Sequence, residues 1–491
     1  MLTLHTETIK MIKSMSKDKQ NKTEELLALI REGKSMTLGT QLRLTAMLSV
    51  PAVVAQISSI IMQYIDVSMV GSLGAGPSAS IGLVSTTTWL FWGVCAAFAT
   101  GFSVQVAHHI GAGDFDKARS VLRQAFVATV LFSVMLAAIG AGISGMLPTW
   151  LGGDSSIHAD ASAYFFIFAL FLPALQLSFL AGGMLRCSGN MKIPSMLNVL
   201  MCVLDVIFNY FLIFKTHDVS LLGHTITVPG VGLGVVGAAL GTVLAEAVTA
   251  GIMTWYLCTR SKHLAIACER GSFRFTGYVI KKALKISCPM GLEHIVLCGA
   301  QIMTTVIVAP LGIFAIAANS FAITAESLCY MPGYGIADAA TTLVGQSIGA
   351  ARYNLTRSFA RIAVFTGMIV MGLMGVIMYI GAPAIIGLMT PDPDILSLGT
   401  MALRVEAFAE PMFAAAIVAY GVFVGAGDTL KPCLMNLFSI WAVRLTLAAT
   451  LAPSMGLKGV WVAMCIELCF RGAIFLLRLF KGNWIKADKK V

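Results

Sequence analysis

Twelve long apolar runs limit what this chain can fold into, because each is about as long as a helix that crosses a bilayer. A membrane-spanning helix needs about 20 mostly apolar residues, whereas a membrane-spanning strand needs about 10 of alternating character. The charged fraction of 12%, against roughly 25% in a soluble protein, agrees with lipid as the surrounding medium. We therefore predict an all-α integral membrane protein with twelve transmembrane helices. The runs start near residues 45, 77, 121, 160, 194, 230, 284, 314, 360, 396, 432 and 457.

The distribution of basic residues predicts how the chain is oriented in the membrane. Cytosolic loops of membrane proteins collect Lys and Arg, and with the N-terminus inside, the connections on one side are rich in both. The loops on the other side contain only Lys215 and Lys458 as basic residues. We therefore expect a multi-pass protein of the plasma membrane (the cell inner membrane) with both termini in the cytosol. This asymmetry accounts for the net charge of +10, so no nucleic-acid partner is expected.

The chain contains two copies of one unit, since the segment Val106–Arg123 recurs 238 positions later as Val344–Arg361. Each unit has six runs, an even number, so both copies have the same orientation. This predicts two six-helix bundles related by a pseudo-two-fold axis along the membrane normal, with a binding site between them near the midplane. The identical pairs are Val106 and Val344, Ile110 and Ile348, Gly111 and Gly349, Ala112 and Ala350, Arg119 and Arg357, Ser120 and Ser358, and Arg123 and Arg361.

The duplication also divides the chain into parts. We expect a polar cytosolic tail at 1–44, a six-helix lobe at 45–258, a cytosolic linker at 259–283, a second lobe at 284–482 and a basic cytosolic tail at 483–491. The N-terminal tail includes a predicted short helix at Glu24–Arg31. It contains no apolar core of the kind that a signal peptide needs. We interpret the repeated segment as a structural elbow between two spans, because it is common to both copies. Specialised residues are expected where the copies differ.

Two aspartates within spans of the first copy have no acidic counterpart in the second. Asp66 in the first span corresponds to Thr304, and Asp205 in the fifth span corresponds to Val443. Ionisable residues inside a membrane are costly and usually functional. Both spans run in the same direction at similar depth, so the two carboxylates are predicted to meet, where they could exchange protons or hold Na⁺. The alternative is that each aspartate only hydrogen-bonds a neighbouring helix.

The second copy has acids of its own that align with uncharged residues in the first. They are candidate substrate or ion contacts; the alternative is that Arg404 and Arg444 neutralise some of them in structural salt bridges. The eleven cysteines lie in predicted spans or on the cytosolic side, so neither disulfides nor a structural zinc site is expected. The candidate acids within spans are Glu293, Glu326, Glu406 and Glu410, with Asp338 as a further acid.

Four fragments together resemble the multidrug and toxic compound extrusion (MATE) family, prokaryotic type: Ile65–Gly71, Ile110–Asp114, Asn209–Phe214 and Leu343–Ala350. The likeness extends from about residue 45 to 480, and the order, duplication and spacing of the fragments make it specific. The resemblance implies two six-helix bundles around a V-shaped cavity. It also implies export of organic cations or other amphiphiles against the entry of H⁺ or Na⁺.

The resemblance further implies roles for individual residues. Asp66 and Asp205 match the first- and fifth-helix aspartates that serve the coupling ion in prokaryotic members, and Thr242 matches a sixth-helix Thr of one branch. That branch also has an Asn four residues before the second Asp, where this chain has Met201. This departure favours protons over a complete Na⁺ shell. Glu293 lies about one turn before the seventh-helix Glu of another branch.

A secondary active multidrug efflux transporter, working by alternating access without a cofactor, is therefore the leading functional hypothesis. The expected partners are a small amphiphilic or cationic substrate and membrane lipid, and a monomer is expected. The alternative is a flippase for a lipid-linked precursor, which should line its cavity with several Arg or Lys. An intramembrane enzyme is disfavoured because the sequence has no metalloprotease His-Glu-x-x-His and no convincing serine or aspartyl catalytic motif. A passive channel remains the third alternative.

Overall fold

The computed structural model describes residues 22–221, 224–267 and 271–485, and this part of the chain is almost entirely helical. Ten helices are each long and apolar enough to cross a membrane, and two further pairs of shorter helices do so as bent spans. The prediction of a helical membrane protein with twelve transmembrane helices is confirmed. The membrane helices are numbered α1 to α12, and the connecting elements are named by their residues.

In the first half of the chain the membrane helices are α1 (Leu38–Gly71), α2 (Ala75–Gly111), α3 (Phe115–Ile143), the bent α4 (His158–Leu170 and Leu172–Cys187), α5 (Lys192–Ile213) and α6 (Val235–Thr259). In the second half they are α7 (Gly277–Val308), α8 (Ile313–Gly349), α9 (Tyr353–Gly387), the bent α10 (Pro393–Glu406 and Glu410–Gly425), α11 (Leu430–Met455) and α12 (Leu457–Lys481). A π-helical segment, Ser439–Leu445, interrupts α11. The short connecting elements are Leu147–Trp150, Ser155–Ile157 and Ala309–Leu311.

The two bent helices break at equivalent points of the repeat. The segments of α4 meet at 46° and those of α10 at 60°. Pro173 and Pro411 lie in the first turn of the second segment in each case. Proline has no N–H and clashes with the preceding turn, so it is tolerated at a helix start but interrupts a helix interior. Pro51 and Pro289, in contrast, lie inside α1 and α7, which continue through them.

The first membrane helix begins earlier than the sequence indicated. α1 starts at Leu38, whereas the polar tail was expected to extend to residue 44, and α7 likewise starts at Gly277 within the expected linker. The residues before 45 include Arg43, which lowers their hydropathy, but Leu44 among them is fully buried. Leu44 packs in one cluster with residues of a short helix at 22–31. The predicted helix Glu24–Arg31 lies within that short helix, which we call the N-terminal helix.

One small sheet departs from the all-α expectation. The strands Lys215–Leu221 and His224–Val231 pair antiparallel, in the non-cytosolic connection that contains Lys215 and was predicted only as a loop. Thr, Val and Ile alternate with other residues here, a composition that suits a strand. The hairpin connects α5 to α6 at the end opposite the elbows.

The two lobes interlock through their first helices. α1 packs against α5 of its own lobe and against α8 of the other lobe, and α7 packs against α2 as well as α11. The two elbows, Gly111–Asp114 after α2 and Gly349–Arg352 after α8, lie at the same end of the molecule and bring the lobes into contact there. The lobes are therefore closed against each other at this end, which we call the basic end because its connections are rich in Lys and Arg.

Candidate functional site

The structure brings together the two aspartates of the first lobe through a single asparagine. Asn209 Nδ2 donates hydrogen bonds to Asp66 Oδ1 at 3.0 Å and to Asp205 Oδ2 at 3.1 Å. Asp205 and Asn209 are fully buried, and Asp66 is half-buried. One amide therefore connects α1 to α5 at a pair of carboxylates inside the membrane region.

Local sequence explains this geometry. Asp205 and Asn209 are four residues apart on α5, so their side chains project from one face of the helix. Gly241 of α6 lies so close that a Cβ built on it would be 2.0 Å from Asn209 Oδ1. A side chain at Gly241 would therefore push α6 away from the site. The next residue, Thr242, lies within hydrogen-bonding reach of the Asp205 carboxylate.

The hydrogen bonding of this constellation is incomplete. Among the described residues, Asp205 Oδ1 and Asn209 Oδ1 have no hydrogen-bond partner although both atoms are buried. A buried carboxylate without a partner is costly unless it takes up a proton or contacts a cation. Two acceptor oxygens thus remain for a small ion beside the Asp66 carboxylate.

Three residues near this site were not singled out from the sequence. Asn209 supplies the amide one turn after Asp205, whereas the family pattern directed attention to Met201, one turn before it. Glu246 lies one turn beyond Thr242 on α6, close to Ser178 and Asp205, and Tyr164 of α4 lies near both aspartates. A glutamate in the middle of an apolar run was a visible signal for Glu246.

In the second lobe, Glu293 of α7 is held by two hydrogen bonds. The Tyr420 hydroxyl donates to Oε2 at 2.6 Å, and Asn436 Nδ2 donates to Oε1 at 2.5 Å. The first lobe has a related contact, in which Asn198 Nδ2 donates to the backbone oxygen of Ala55 at 3.2 Å. Both carboxylate oxygens of Glu293 are therefore engaged within the protein.

Glu406 and Glu410 are different, because none of their four carboxylate oxygens has a nitrogen or oxygen hydrogen-bond partner in the described part of the chain, although the Cys329 thiol lies close to Glu410. Both residues have no exposed surface, and they flank the break in α10. Glu326 of α8, also buried, is close enough to interact electrostatically with both. The structure thus brings three of the four candidate glutamates together and leaves Glu293 apart from them.

Arg444, one of the two arginines expected to neutralise a candidate acid, pairs with an acid that was not among the candidates. Glu467 of α12 is fully buried and contacts Arg444 Nη2 at 2.7 Å and Arg471 Nε at 3.0 Å. The hydroxyl of Ser439 donates to the same carboxylate at 2.6 Å. Ser439 and Arg444 both belong to the π-helical segment of α11. Arg404, the other expected partner, stacks over the ring of Tyr379 at 5.4 Å.

Within the described ranges, no group of three or more His, Cys, Asp or Glu side chains is placed to hold a metal ion.

Comparison with known proteins decides the family. The MatE family model matches residues 51–211 and 289–450, one match in each lobe. The chain belongs to the MatE family. Its members are transporters, so this MATE protein is a multi-pass membrane transporter and not an enzyme.

The relatives match nearly the whole chain. The probable multidrug resistance protein NorM of Thermotoga maritima is 24% identical over 441 residues, which cover 89% of this chain and 92% of the relative. The protein of the same name from Chromobacterium violaceum is 24% identical, covering 90% and 94%.

Solved structures agree with the fold. A MATE protein in complex with MaD3S has a TM-score of 0.83 at 19% identity, covering 93% of this chain and 98% of the other. A mutant of the Vibrio cholerae MATE transporter VcmN has a TM-score of 0.82 at 17% identity, covering 92% and 98%. A Pyrococcus furiosus transporter of the MOP superfamily has a TM-score of 0.84 at 18% identity, covering 94% and 99%. The prediction of the V-shaped MATE fold is thereby confirmed.

Proposed function

We propose that this MATE transporter exports cationic or amphiphilic small molecules in antiport with H⁺ or Na⁺ by alternating access. The observation that carries the proposal is the constellation of Asp66, Asn209 and Asp205, with an unpartnered carboxylate oxygen on Asp205. The names of the NorM relatives, probable multidrug resistance proteins, support the substrate class.

The first-lobe carboxylates are the proposed coupling site. Asp66 and Asp205 offer acceptor oxygens at one buried location, and Thr242 adds a hydroxyl. A proton or Na⁺ that binds there reduces the negative charge shared by α1, α5 and α6. If the two lobe arrangements bind this ion with different affinity, ion binding shifts the equilibrium between them by that difference. The geometry accommodates either ion, and the gradient experiment below distinguishes them.

The second-lobe acids are the proposed contacts for the substrate cation or a second coupling ion. Glu406 and Glu410 have unpartnered oxygens at the break in α10, and Glu326 adds a third carboxylate. Glu293 is the weaker candidate because Tyr420 and Asn436 already occupy its oxygens.

The flippase alternative has no supporting observation at the two acidic sites within the membrane helices. A substrate site there for an anionic headgroup should present several Arg or Lys side chains, but Arg444 and Arg471 are committed to Glu467. Arg404 lies against Tyr379 instead of any of the candidate acids. The acidic character of both sites favours a cationic substrate.

The proposed setting is the plasma membrane, with the elbows and both termini in the cytosol and the β-hairpin outside. The positive-inside rule supports this orientation, since the elbow end of the molecule has most of the Lys and Arg residues. The chain is also proposed to act as a monomer.

The test is efflux of a fluorescent organic cation from proteoliposomes under imposed proton or sodium gradients. We expect one gradient to drive uphill transport in the wild type, and Asp66→Asn and Asp205→Asn to abolish the coupling. Asp154→Asn is the matched control, because Asp154 caps a short helical turn outside the membrane region. Undiminished uphill transport in both carboxylate variants would refute the coupling assignment. Flux that needs no gradient would indicate a channel.

A further inference from the structure

A cavity of about 730 Å³ lies at the basic end of the first lobe, away from the sites described above. Its walls come from the first turns of α1, the connection between α4 and α5, the end of α6 and the start of the N-terminal helix. Neither Asp66 nor Asp205 contributes to it. The proposed transport activity therefore leaves this cavity without a role.

The polar wall of the cavity is strongly basic. It has five Lys and Arg side chains and one carboxylate, that of Glu24. Glu24 is already engaged by Arg31 at 2.5 Å, by His263 at 2.9 Å and by Lys262, one of the cavity's own basic residues, at 3.6 Å, so its charge is compensated within the protein. An anionic group entering the cavity would meet a net positive surface. The five basic residues are Lys22, Arg43, Lys192, Arg260 and Lys262.

The apolar part of the lining belongs to α1, the helix that also supplies Arg43. It includes Met47, Val50 and Pro51, and 61% of the surface of Val50 is exposed. Trp255 does not line the cavity, but its ring, 56% exposed, lies beside it, with its centroid 5.9 Å from the guanidinium carbon of Arg260. Exposed Trp rings are typical of the boundary between headgroups and acyl chains. The cavity thus extends from a cationic rim into an apolar surface at the depth where the membrane begins.

We propose that this cavity binds the headgroup of an anionic phospholipid, with an acyl chain along the apolar face of α1. Basic pockets beside transmembrane helices recognise anionic headgroups in this way. The proposal rests on the proposed function only for the orientation, which places the site in the cytosolic leaflet.

Other occupants fit the two walls less well. A free phosphate or nucleotide would use the cationic rim and leave the apolar wall of α1 uncovered. The chain's own residues before Lys22 include Lys10, Lys13, Lys17 and Lys19, a charge that does not suit a basic cavity. A phospholipid with one negative headgroup and long apolar chains satisfies both walls.

The experiment measures lipid binding to the purified full-length protein after delipidation in detergent, by native mass spectrometry. Phosphatidylglycerol is compared with phosphatidylcholine of the same acyl chains, and glycerol phosphate serves as the soluble competitor. The test variant is Arg43→Gln with Arg260→Gln. The matched control is Lys281→Gln with Arg274→Gln; Lys281 repeats Arg43 at the start of α7, and neither control residue lines the cavity.

We expect phosphatidylglycerol to bind more tightly than phosphatidylcholine and the test variant to lose roughly tenfold to thirtyfold in affinity. The control should bind like the wild type, and Arg43→Lys with Arg260→Lys should retain most of the affinity. Equal binding of both lipids would overturn the proposal, as would an equal loss in the control variant. Competition by glycerol phosphate at the concentrations at which the lipid binds would also overturn it, since the apolar wall would then contribute nothing.

A second measurement uses only the wild type, so it does not depend on the folding of a variant. A photoactivatable anionic phospholipid is cross-linked to the protein in membranes, and the labelled peptides are identified. Labelling within 43–51 of α1 is expected, and labelling confined to other helices would refute the site. No ion gradient is involved in either measurement, so failure of the antiport proposal would leave these results unaffected.

Discussion

Gly111 of α2 touches the backbone of Gln346 in α8 so closely that a Cβ built on it would lie 2.0 Å from the carbonyl oxygen. The reciprocal contact exists as well, because a Cβ on Gly349 would lie 2.0 Å from the backbone oxygen of His108. Gly349 repeats Gly111, and Gln346 stands where the first copy has His108. The elbows therefore contact each other through two symmetry-related backbone contacts, each between a glycine of one elbow and a carbonyl group of the other lobe.

Side chains extend the same symmetry. Gln346 Nε2 donates to the carbonyl of Cys187 at 2.9 Å, and His108 Nε2 donates to the carbonyl of Gly425 at 2.8 Å. Gly425 is the repeat position of Cys187. Each α2-type helix thus hydrogen-bonds the α4-type helix of the other lobe, which closes the basic end of the molecule.

We expect Gly111→Val to favour separation of the two lobes at the basic end. Overpacking costs about 1–3 kcal/mol, so the equilibrium should shift away from the closed arrangement by about tenfold. Hydrogen exchange of the elbow backbones, 106–113 and 344–351, in lipid nanodiscs measures this shift. Gly251→Val is the control, because nothing lies within 4 Å of the Cβ position in that helix. Unchanged elbow exchange in Gly111→Val would contradict the assignment of a closing contact.

The sequence predicted the elbows but not their contact. The repeat at Val106–Arg123 and Val344–Arg361 located two equivalent turns, and the apolar runs predicted the helices between them. Repetition was interpreted as a sign of structural scaffold alone. That two turns 238 residues apart pack on each other depends on the placement of the lobes, which no local pattern encodes. The glycines at this contact show why both copies keep a residue without a Cβ there.

Asn209→Ala should impair ion coupling, since it removes the amide that bonds both Asp66 and Asp205. Hydrogen bonds to charged groups contribute about 1.5–3 kcal/mol, so we expect the concentration of coupling ion that drives half-maximal efflux to change by at least about tenfold. The measurement is the ion-concentration dependence of efflux in proteoliposomes. Asn198→Ala is the matched control, because Asn198 also joins α5 to α1 but contacts Ala55 and Ser59 instead of the aspartates. An equal effect in both variants would indicate a purely structural role.

The geometry of the candidate sites was predicted in part, for reasons that differ between residues. The proximity of Asp66 and Asp205 was predicted because both break the symmetry of the repeat and lie at similar depth in spans of the same direction. Asn209 was missed because Met201 and Asn209, four residues before and after Asp205, lie on the same helix face as Asp205. Only the family pattern distinguished between the two positions, and it pointed to Met201. The pairing of Arg444 with Glu467 follows from a π-helical register, which depends on tertiary packing and leaves no local mark in the sequence.

Arg444→Gln is expected to destabilise the second lobe. Removing one partner of a buried ion pair costs about 3–5 kcal/mol, and because Arg471 remains beside Glu467 we expect about 2–3 kcal/mol here. The melting temperature in detergent should fall measurably. Arg404→Gln is the control, since Arg404 stacks on Tyr379 without an acidic partner in the described residues. If both substitutions lower the melting temperature equally, the Glu467 network has no special role in stability.

The N-terminal helix should respond to acid through Glu24. Burial alone would raise the pKa of this carboxyl from 4.5, but hydrogen bonds from His263 and Arg31 outweigh it and hold the pKa at about 2. Because docking lowers the pKa, the ionised carboxylate stabilises the docked helix fully above a pH of about 4.5. This stabilisation is lost as the pH falls toward 2. Hydrogen exchange of 22–31 should therefore be faster in Glu24→Gln than in the wild type at pH 7, and the difference should vanish in acid. Glu25→Gln is the control, because Glu25 has no such partners among the described residues. If the difference in exchange rate between Glu24→Gln and the wild type does not depend on pH, the ionised carboxylate is not its cause.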